Sequence, residues 1–538
     1  MKKYFILSLF LFLAYQMHAQ FISSVYTPDS TEVVTIDSTN PGFIISQDIK
    51  AEDFKKHLYV LASDDFQGRE TGTEGIEKAA KYIEGHLDAL GFPKVGMENS
   101  YFQNVGFRFS NWQENEMFVN GNRYKHLWDY LAFQSRNEPM DSFSTNEVIF
   151  LGYGIDDKEY SDYKRNKVSG KVIMIYNGEP FDKKGKSHIT GTAEVSDWTL
   201  ERKLETAKKH GVKMVLIIEE DIKKLLMDNR RLVLGNSTTL LTGDNMVSPY
   251  ANSVHISSSI ANEIIGKKLK KVTKSRDRSR KKGKARDVKL KPELNVKQTL
   301  VNNDLLGKNI LAYIEGTDKK DELIIVTAHY DHVGFRGEEI FNGADDNGTG
   351  TTSLLEMTDA FIMAKKNGIS PRRSILFMWV TGEEKGLLGS QYYSENPIFP
   401  LENTVANINI DMIGRSDEKY AGRGDYIYVI GSDRLSTDLH KINESVNSEY
   451  SRLVFDYTYN SESDPNRFYF RSDHYNFARK GIPAIFFFSG VHEDYHQPTD
   501  TPDKINYEKS EHIARHIAQL TWELANREER IVVDGEVK

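Results

Sequence analysis

Residues 322–332 read ELIIVTAHYDH, a mainly apolar run that ends in a cluster of polar side chains. More apolar runs of six to nine residues occur in the same part of the chain, and helical stretches such as 349–366 separate several of them. Continuous apolar strands covered by helices are typical of a mostly parallel, buried sheet. The sequence therefore predicts an α/β fold with a mostly parallel central sheet and helices on both faces. The other runs are NILAYIEG at 309–316, SILFMWVTG at 374–382, TVANINI at 404–410, YIYVIG at 426–431 and PAIFFFSG at 483–490.

Acidic and histidine side chains follow four of these strands, directly or after a short loop. In an open α/β sheet, ligands bind outside the carboxyl ends of the strands. We therefore expect these side chains to share one rim of the sheet, although they are far apart in the sequence. They are His329, Asp331 and His332 after the first run, Glu383 and Glu384, Asp411 and His496 after three others, and Asp345 and Asp346 in GADDNGTG at 343–350.

The chain contains no cysteine, which excludes a disulfide framework, a thiolate metal site and a cysteine nucleophile. Any metal must be held by His, Asp and Glu, a ligand set that suits zinc. Three ligands would serve one catalytic zinc, whereas five ligands and a spare carboxylate suggest two metals about 3.5–4 Å apart with a shared bridge. Of the adjacent Glu383 and Glu384, one can bind metal while the other acts as general base. Asp331 is placed to orient the His329 imidazole.

Composition and the first residues bear on partners and location. The 538 residues include 70 basic and 78 acidic side chains, and this near balance predicts no nucleic-acid partner. Residues 1–19 start with two lysines, continue as an apolar run and end at Ala19, which predicts a cleaved secretory signal peptide. No later stretch approaches the roughly 20 apolar residues that span a bilayer. The mature protein is therefore expected to be periplasmic or secreted, without a membrane span.

Seven motifs occur in an order that resembles a known family. Together they are similar to the exported dinuclear-zinc aminopeptidases of the bacterial leucyl-aminopeptidase and aminopeptidase Y type, over residues 49–107 and 309–526. The resemblance implies a zinc-exopeptidase fold, two Zn²⁺ per chain and peptide substrates. The motifs are GRETGTEG at 68–75, AHYDHVG at 328–334, NGADDNGTG at 342–350, TGEEKGLLGS at 381–390, NIDMIG at 409–414, SDHYNFARKGIPA at 472–484 and YHQPTDT at 495–501.

The same resemblance implies which side chains bind the metals. His329 and Asp411 correspond to the ligands of one zinc, and Glu384 and His496 to the ligands of the other. Asp346, the second acidic residue of GADD, corresponds to the bridge between the two ions.

Three further residues correspond to catalytic groups of the family. Glu383 resembles the general base, Asp331 the carboxylate that orients the histidine, and Tyr495 the phenol that stabilises the tetrahedral oxyanion. Asp473 and His474 of the SDHY motif are candidates for the peptide pocket, with a structural role in the loop as the alternative.

Residues 140–262 resemble the protease-associated domain that some of these enzymes contain, and the resemblance is carried mainly by residues 150–180.

Residues 267–291 carry fourteen Lys or Arg, and this segment is interpreted as a solvated flexible loop rather than a polyanion-binding patch. The predicted organisation is a signal peptide at 1–19, a leader at 20–48, a peptidase domain at 49–139 and 299–529, a smaller β-rich α/β insertion at 140–262, a basic linker or loop at 263–298 and a tail at 530–538.

The function predicted at this point is removal of amino-terminal residues from peptides. Two enzymes on the same scaffold remain as alternatives, a glutaminyl cyclase and a carboxypeptidase. A non-catalytic binding protein on a peptidase scaffold is a third alternative, because a fold does not determine a function.

Overall fold

The structure, a computed structural model, describes residues 25–26, 36–164, 167–229, 233, 237–241, 248–284 and 286–537. The predicted signal peptide at 1–19 lies outside the described residues. The chain divides into two compact units, one made of Met1–Val105 with Leu306–Lys538 and the other of Gly106–Leu305.

The α-helices of the described residues are given first, in chain order. They are α1 (Pro41–Ser46), α2 (Ala51–Leu61), α3 (Glu74–Leu90), α4 (Leu200–Lys209), α5 (Ile222–Asp228), α6 (Ser258–Ile265), α7 (Leu269–Lys282), α8 (Gly350–Lys366), α9 (Leu388–Glu395), α10 (Thr437–Val446), α11 (His474–Ala478) and α12 (Tyr507–Asn526).

The strands follow in the same order. They are β1 (Val25–Tyr26), β2 (Phe102–Val119), β3 (Asn122–Lys125), β4 (Tyr130–Leu131), β5 (Phe143–Thr145), β6 (Val148–Phe150), β7 (Val172–Tyr176), β8 (Met214–Glu219), β9 (Ser237–Leu240), β10 (Ser253–Ser257), β11 (Val288–Leu290), β12 (Leu294–Ile314), β13 (Lys319–His329), β14 (Phe335–Arg336), β15 (Glu339–Ile340), β16 (Arg373–Val380), β17 (Thr404–Ile410), β18 (Tyr426–Ile430), β19 (Val454–Asp456) and β20 (Ala484–Phe488).

The first unit is built on the sheet that the apolar runs predicted. Its strands lie in the order β1–β19–β18–β20–β17–β13–β16–β12. The neighbours β16, β13, β17 and β20 are parallel to one another, while β12 pairs antiparallel with β16 and β18 antiparallel with β20. The α/β fold class with a mostly parallel central sheet is thus confirmed.

Strand β13 shows why the apolar runs are continuous. Successive side chains of a strand point to opposite faces of the sheet. Ile324 and Val326 pack in the core that includes residues of α8 and α12, whereas Leu323 and Ile325 pack with residues of α9 and α11. Because helices cover both faces, neither set of side chains can be polar.

The second unit contains a smaller sheet in the order β11–β6–β7–β8–β10–β4. Its strands β6, β7, β8 and β10 are parallel. On this sheet Ile173 and Val215 pack with Leu204 of α4, and Met174 and Leu216 pack in a cluster with residues of α6 and α7. The unit begins at residue 106 and ends at 305, so it is larger than the predicted insertion at 140–262. Strand β12 continues across the predicted boundary between residues 298 and 299.

Part of the predicted leader is helical. Helix α1 starts directly after Asn40, whose side-chain oxygen accepts hydrogen bonds from the backbone N–H groups of Gly42 and Phe43 at 2.8 and 3.3 Å. Asparagine at the N-cap followed by Pro41 at the first helical position is a strong start signal. The predicted leader at 20–48 therefore contains a helix, which was not anticipated because this capping signal was overlooked.

The basic segment is also ordered, so the prediction of a flexible loop is wrong. Its first part forms α7, which buries Val272, Ser275 and Ser279, and its last part forms β11. The Arg276 guanidinium lies 4.5 Å from the centre of the Tyr176 ring. Basic side chains occupy the exposed positions of the helix, whereas Val272, Ser275 and Ser279 recur at a spacing of three to four and form its buried face.

Within the described part of the chain, no helix has the length and apolar character needed to cross a membrane.

The buried face of α7 can be tested by placing a charge on it. We expect Val272→Asp to lower the free energy of unfolding by about 2–4 kcal/mol, because a carboxylate would be buried without a partner. Urea unfolding of the full-length protein measures the change. Thr273→Asp is the matched control, since the neighbouring residue is exposed and surface changes usually stay within about 0.5 kcal/mol. Equal effects of the two substitutions would contradict the packed helix.

Candidate metal centre

The site lies at the carboxyl ends of four adjacent parallel strands. His329 is the last residue of β13, and Asp411 directly follows β17. Glu384 comes shortly after β16, and His496 follows β20 after a loop. Asp346 lies in the turn at Ala344–Thr349 that leads into α8. Parallel strands end at a common edge, which is why residues so distant in sequence meet there.

The first of two groups forms around His329. Its Nε2 atom lies 3.4 Å from Asp411 Oδ1 and 3.5 Å from Asp346 Oδ1. Glu383 belongs to the same surroundings, because it offers a carboxylate oxygen within 4.8 Å of ligand atoms of His329 and Asp411.

The second group forms around Glu384. His496 Nε2 lies 3.1 Å from Glu384 Oε1 and 3.0 Å from Asp346 Oδ2. Asp346 thus presents one carboxylate oxygen to each group. The structure therefore brings together all five side chains for which the sequence suggested metal binding.

The donor set fits zinc. Two atoms bound at about 2.0–2.1 Å to one tetrahedral zinc lie about 3.3 Å apart, close to the separations seen in both groups. Glu384 Oε1, Asp411 Oδ1 and His496 Nε2 are buried and have no hydrogen-bond partner among the described residues. Buried polar atoms without partners are costly, and a cation bound between them would supply the missing interaction.

Electrostatics favour cations at this place. Burial by itself raises the pKa of Glu384, but the imidazoles of His332 and His496 hold that pKa well below its usual range. Burial lowers the pKa of His496, yet the carboxylates of Asp346 and Glu384 raise it to about 10. Burial, and after it the charges of Glu384 and Asp411, raise the pKa of Glu383 well above its usual range, against the opposing effect of His329.

The two carboxylates of GADD face different surroundings. Asp345 accepts hydrogen bonds from the Gly414 N–H at 2.7 Å and the Thr349 hydroxyl at 3.0 Å, and lies 3.2 Å from His492 Nε2. The hydrogen bonds of Asp345 stabilise the turn at 344–349, whereas the carboxylate oxygens of Asp346 face the two groups of ligand-type side chains. The backbone N–H groups of both residues donate to the Asp500 carboxylate at 3.1–3.2 Å.

The predicted contact of the Asp331 carboxylate with the His329 ring requires a correction. His329 Nδ1 lies 3.0 Å from the main-chain carbonyl of Asp331, whereas the nearest carboxylate oxygen is 3.8 Å away. The carboxylate instead accepts from the Thr71 hydroxyl at 2.9 Å and the Glu383 N–H at 3.2 Å. Asp331 therefore orients the imidazole through its backbone, and its side chain positions Glu383.

Tyr495 lies beside the second group. Its ring stacks on His496 with centroids 4.0 Å apart, and its hydroxyl accepts a hydrogen bond from Arg471 Nη2 at 3.3 Å. A cavity opens here, lined by Asp346, Glu383, Glu384 and Asp411 and by Met412, Phe468, Arg471, Phe486, Phe488, Val491 and Tyr495.

Asp473 and His474 do not line this cavity. Both are fully buried. Asp473 accepts a hydrogen bond from the Ser390 hydroxyl at 2.5 Å, and the His474 ring stacks on Phe486. Their interpretation as peptide-pocket residues is therefore wrong, and the structural alternative holds because both side chains are enclosed in the interior.

His332 belongs to the predicted rim, but its sequence context assigned it no role. Its Nδ1 atom lies 3.1 Å from Glu384 Oε1 and 3.8 Å from Asp346 Oδ2. Neither ring nitrogen has a hydrogen-bond partner in the described part of the chain. The HYDH motif could have indicated this role, because its two histidines are three residues apart. His329 belongs to the first group, and His332 lies beside Glu384 of the second.

Arg69 was also missed, although it belongs to the GRETGTEG motif. Its guanidinium is fully buried and donates to the main-chain carbonyls of Leu61, Tyr330, Asn342 and Gly343 at 2.7–3.0 Å. Burial lowers its pKa to about 10, so it stays charged at neutral pH. One side chain thus ties the loop after β13 to the turn that carries Asp346.

The chain is similar in sequence and fold to several known proteins. Residues 309–521 match the family model described as Peptidase family M28. A probable leucine aminopeptidase of Arthroderma benhamiae (strain ATCC MYA-4681 / CBS 112371) is 30% identical over 236 residues, 43% of this chain and 61% of that protein. Aminopeptidase YwaD of Bacillus subtilis (strain 168) is 28% identical over 219 residues, 39% of this chain and 43% of that protein.

Among solved structures, an aminopeptidase from Aneurinibacillus sp. strain AM-1 matches with a TM-score of 0.51 at 20% identity, covering 92% of this chain and 98% of that one. This likeness shows a shared fold. The segment 309–521 is thus similar to the hydrolases of Peptidase family M28. The chain spans less than two thirds of the length of the two curated relatives described above.

A buried chain of hydrogen bonds fixes Asp411. The Ser472 hydroxyl donates to Asp411 Oδ2 at 2.7 Å and accepts from the Asn409 amide at 2.8 Å. Asn409 in turn accepts from the Thr327 hydroxyl of β13 at 2.7 Å. Such outer partners orient a ligand and raise metal affinity.

We expect Ser472→Ala to weaken zinc binding by about 10- to 100-fold, the usual effect of losing an outer hydrogen bond to a ligand. Zinc affinity is measured by competition with a chromophoric chelator. Ser489→Ala serves as control, because it removes a buried hydroxyl that has no hydrogen-bond partner within the described ranges. Equal zinc affinity in Ser472→Ala and the parent protein would show that this chain does not support the centre.

Proposed function

We propose that the protein is an exported dinuclear-zinc aminopeptidase. The observation that carries the proposal is the position of Asp346, whose two oxygens face two separate groups of ligand-type side chains. His329 and Asp411 would hold one ion, Glu384 and His496 the other. The family match and the names of the curated relatives support a peptidase that acts on amino termini.

Zinc at this centre would lower the pKa of water and polarise the scissile carbonyl. Glu383 takes the proton from the attacking water and passes it to the leaving amine. Its raised pKa, caused first by burial, suits a group that must both accept and release a proton. The Asp331 carboxylate holds Glu383 through the backbone N–H, which keeps the base next to the first group.

Tyr495 stabilises the oxyanion of the tetrahedral intermediate by donating its hydroxyl proton into a hydrogen bond. Arg471 donates to that hydroxyl, which leaves the phenol proton free to point at the substrate. Burial raises the pKa of Tyr495, so the phenol stays protonated and able to donate.

The cavity favours an apolar residue at the substrate terminus. Phe468, Phe486, Phe488, Met412 and Val491 supply the side chains of its apolar lining. An aliphatic or aromatic side chain would be desolvated against them, which is favourable. A leucine-type substrate therefore fits this cavity better than a charged one.

Glu383→Gln tests the proton transfer. We expect turnover of leucyl-p-nitroanilide to fall at least about 100-fold, the usual scale for loss of a general base, while the zinc content stays unchanged. Glu384→Gln is the matched neighbour and should lose zinc as well as activity. Full turnover in Glu383→Gln would refute the assigned role.

The end of the peptide that is attacked can be read from the substrates. Peptides with a free amino terminus should be cleaved, and the same peptides with an acetylated terminus should not. A carboxypeptidase would still cleave the peptides with an acetylated amino terminus. It would fail to cleave peptides whose carboxyl terminus is blocked. A glutaminyl cyclase of the one-zinc kind would lose one zinc, not two, in a His329→Ala/His496→Ala double variant. A binding protein would show no chelator-sensitive cleavage at all.

We further propose export through the signal peptide at 1–19. Produced in a Gram-negative host, the full chain should appear in the periplasm or medium with Gln20 as its first residue, since the cut is expected after Ala19. Amino-terminal sequencing of the fractionated protein provides the measurement. A chain that lacks residues 1–19 should stay in the cytoplasm, and an uncut full chain found there would contradict export.

We also propose that residues 140–262 form a protease-associated domain. The parallel strands β6, β7, β8 and β10, covered by α4 and α6, support an independent α/β core in this region.

A further inference from the structure

A second set of histidine and carboxylate side chains lies in the first unit, on three helices. His57 is on α2, His86 on α3 and Asp359 on α8. Each offers one ligand atom, and these three atoms lie within 4.8 Å of one another. None of the three belongs to the metal centre described above, and they come from parts of the sequence that only the tertiary fold brings together.

The contacts within this set are close. His86 Nε2 lies 3.1 Å from Asp359 Oδ2. The two imidazole rings are nearly perpendicular, with centroids 5.1 Å apart. His57 Nδ1 lies 2.7 Å from the Tyr82 hydroxyl, and in the tautomer that donates this hydrogen bond its Nε2 atom carries a lone pair. An outer hydrogen bond of this kind is typical of histidines that bind metal.

Glu356 supplies an independent observation. It lies three residues before Asp359, so the two side chains share one face of α8. Its side chain is only 4% exposed, and its Oε1 atom points at the set, 3.7 Å from His57 Nε2. Glu356 Oε1 and His86 Nε2 are both buried without a hydrogen-bond partner among the described residues.

A simple ion pair does not account for these atoms. An ion pair between His86 and Asp359 would leave Glu356 Oε1 with only the His57 Nε2 atom nearby, at 3.7 Å. Glu356 Oε1 has no hydrogen-bond partner among the described residues, and an unpaired buried polar atom costs about 1–3 kcal/mol. Two imidazoles and two carboxylates are the nitrogen and oxygen donors that zinc prefers in the absence of cysteine. The separations of 3.1 and 3.7 Å bracket the roughly 3.3 Å expected between ligands of one tetrahedral zinc.

We propose that His57, His86 and Asp359 form a second, structural zinc site that cross-links α2, α3 and α8, with the Glu356 carboxylate facing it. Three side chains supply the ligand atoms, and the Glu356 carboxylate lies beside them, 3.7 Å from His57 Nε2. Helix α8 begins directly after the turn that carries Asp346. The cation would therefore fasten the helix that supports the catalytic turn without taking part in the reaction.

The test counts zinc in the full-length chain. The double variant His86→Gln/Asp359→Asn should bind about one zinc equivalent less than the parent protein, measured by elemental analysis after dialysis against zinc. Activity per folded, zinc-loaded chain should stay within about twofold, since a structural cation touches no substrate. The measured quantity is the difference in zinc content between the parent protein and the double variant. This difference tests the second site even if the proposed aminopeptidase function is wrong.

Thermal unfolding supplies a second readout. Added zinc should raise the midpoint of the parent protein more than that of the double variant, because a ligand that binds only the folded state stabilises it. His210→Gln is the matched control, since His210 forms a pair with Asp156 at 2.8 Å elsewhere and should change neither the count nor the midpoint shift.

Crystals grown with zinc decide the matter should the double variant fail to fold. An anomalous peak between His57, His86, Glu356 and Asp359 supports the site. Its absence at full occupancy of the catalytic centre overturns the proposal, as does an equal zinc count in the parent protein and the double variant.

Discussion

The concentration of buried negative charge around Asp346 is the constraint on which the rest of the structure depends. Asp346, Glu383, Glu384 and Asp411 converge at one edge of the sheet with His329, His332 and His496 around them. Isolated charges cannot be taken out of water at acceptable cost. The fold therefore has to supply imidazoles, backbone N–H groups and a place for cations, and the surrounding residues do this.

Several hydrogen bonds hold the side chains around Asp346 in place. The Asp500 carboxylate accepts the N–H groups of the turn that carries Asp346, and the Arg69 guanidinium holds the loops on either side of it through four carbonyls. Ser472 and Asn409 fix Asp411 from below the rim. A site held in this manner is preorganised, so little reorganisation would be needed when charge develops in the proposed reaction.

Residues that are close in the sequence belong to different groups of ligand-type side chains because their side chains point in different directions. Glu383 and Glu384 are adjacent in sequence, yet each joins a different group of side chains. The same holds for His329 and His332 of one loop. A short loop at a strand end can thus face two groups of ligand-type side chains, as the proposed dinuclear centre requires. The set on α2, α3 and α8 uses the same donors on helices, where no substrate path is required.

The sequence by itself determined the buried parallel strands and the convergence of the rim residues. Apolar runs covered on both faces leave little choice of fold, and strand ends meet at one edge whatever their separation in the chain. It also determined the donor chemistry, because the chain has no cysteine. Only the tertiary structure decided where individual polar atoms point. It turned the Asp331 carboxylate toward Thr71 and Glu383, buried Asp473 and His474, placed His332 beside Glu384 and packed α7 against its unit. These outcomes depend on rotamers and on contacts between distant elements, which local sequence patterns do not encode.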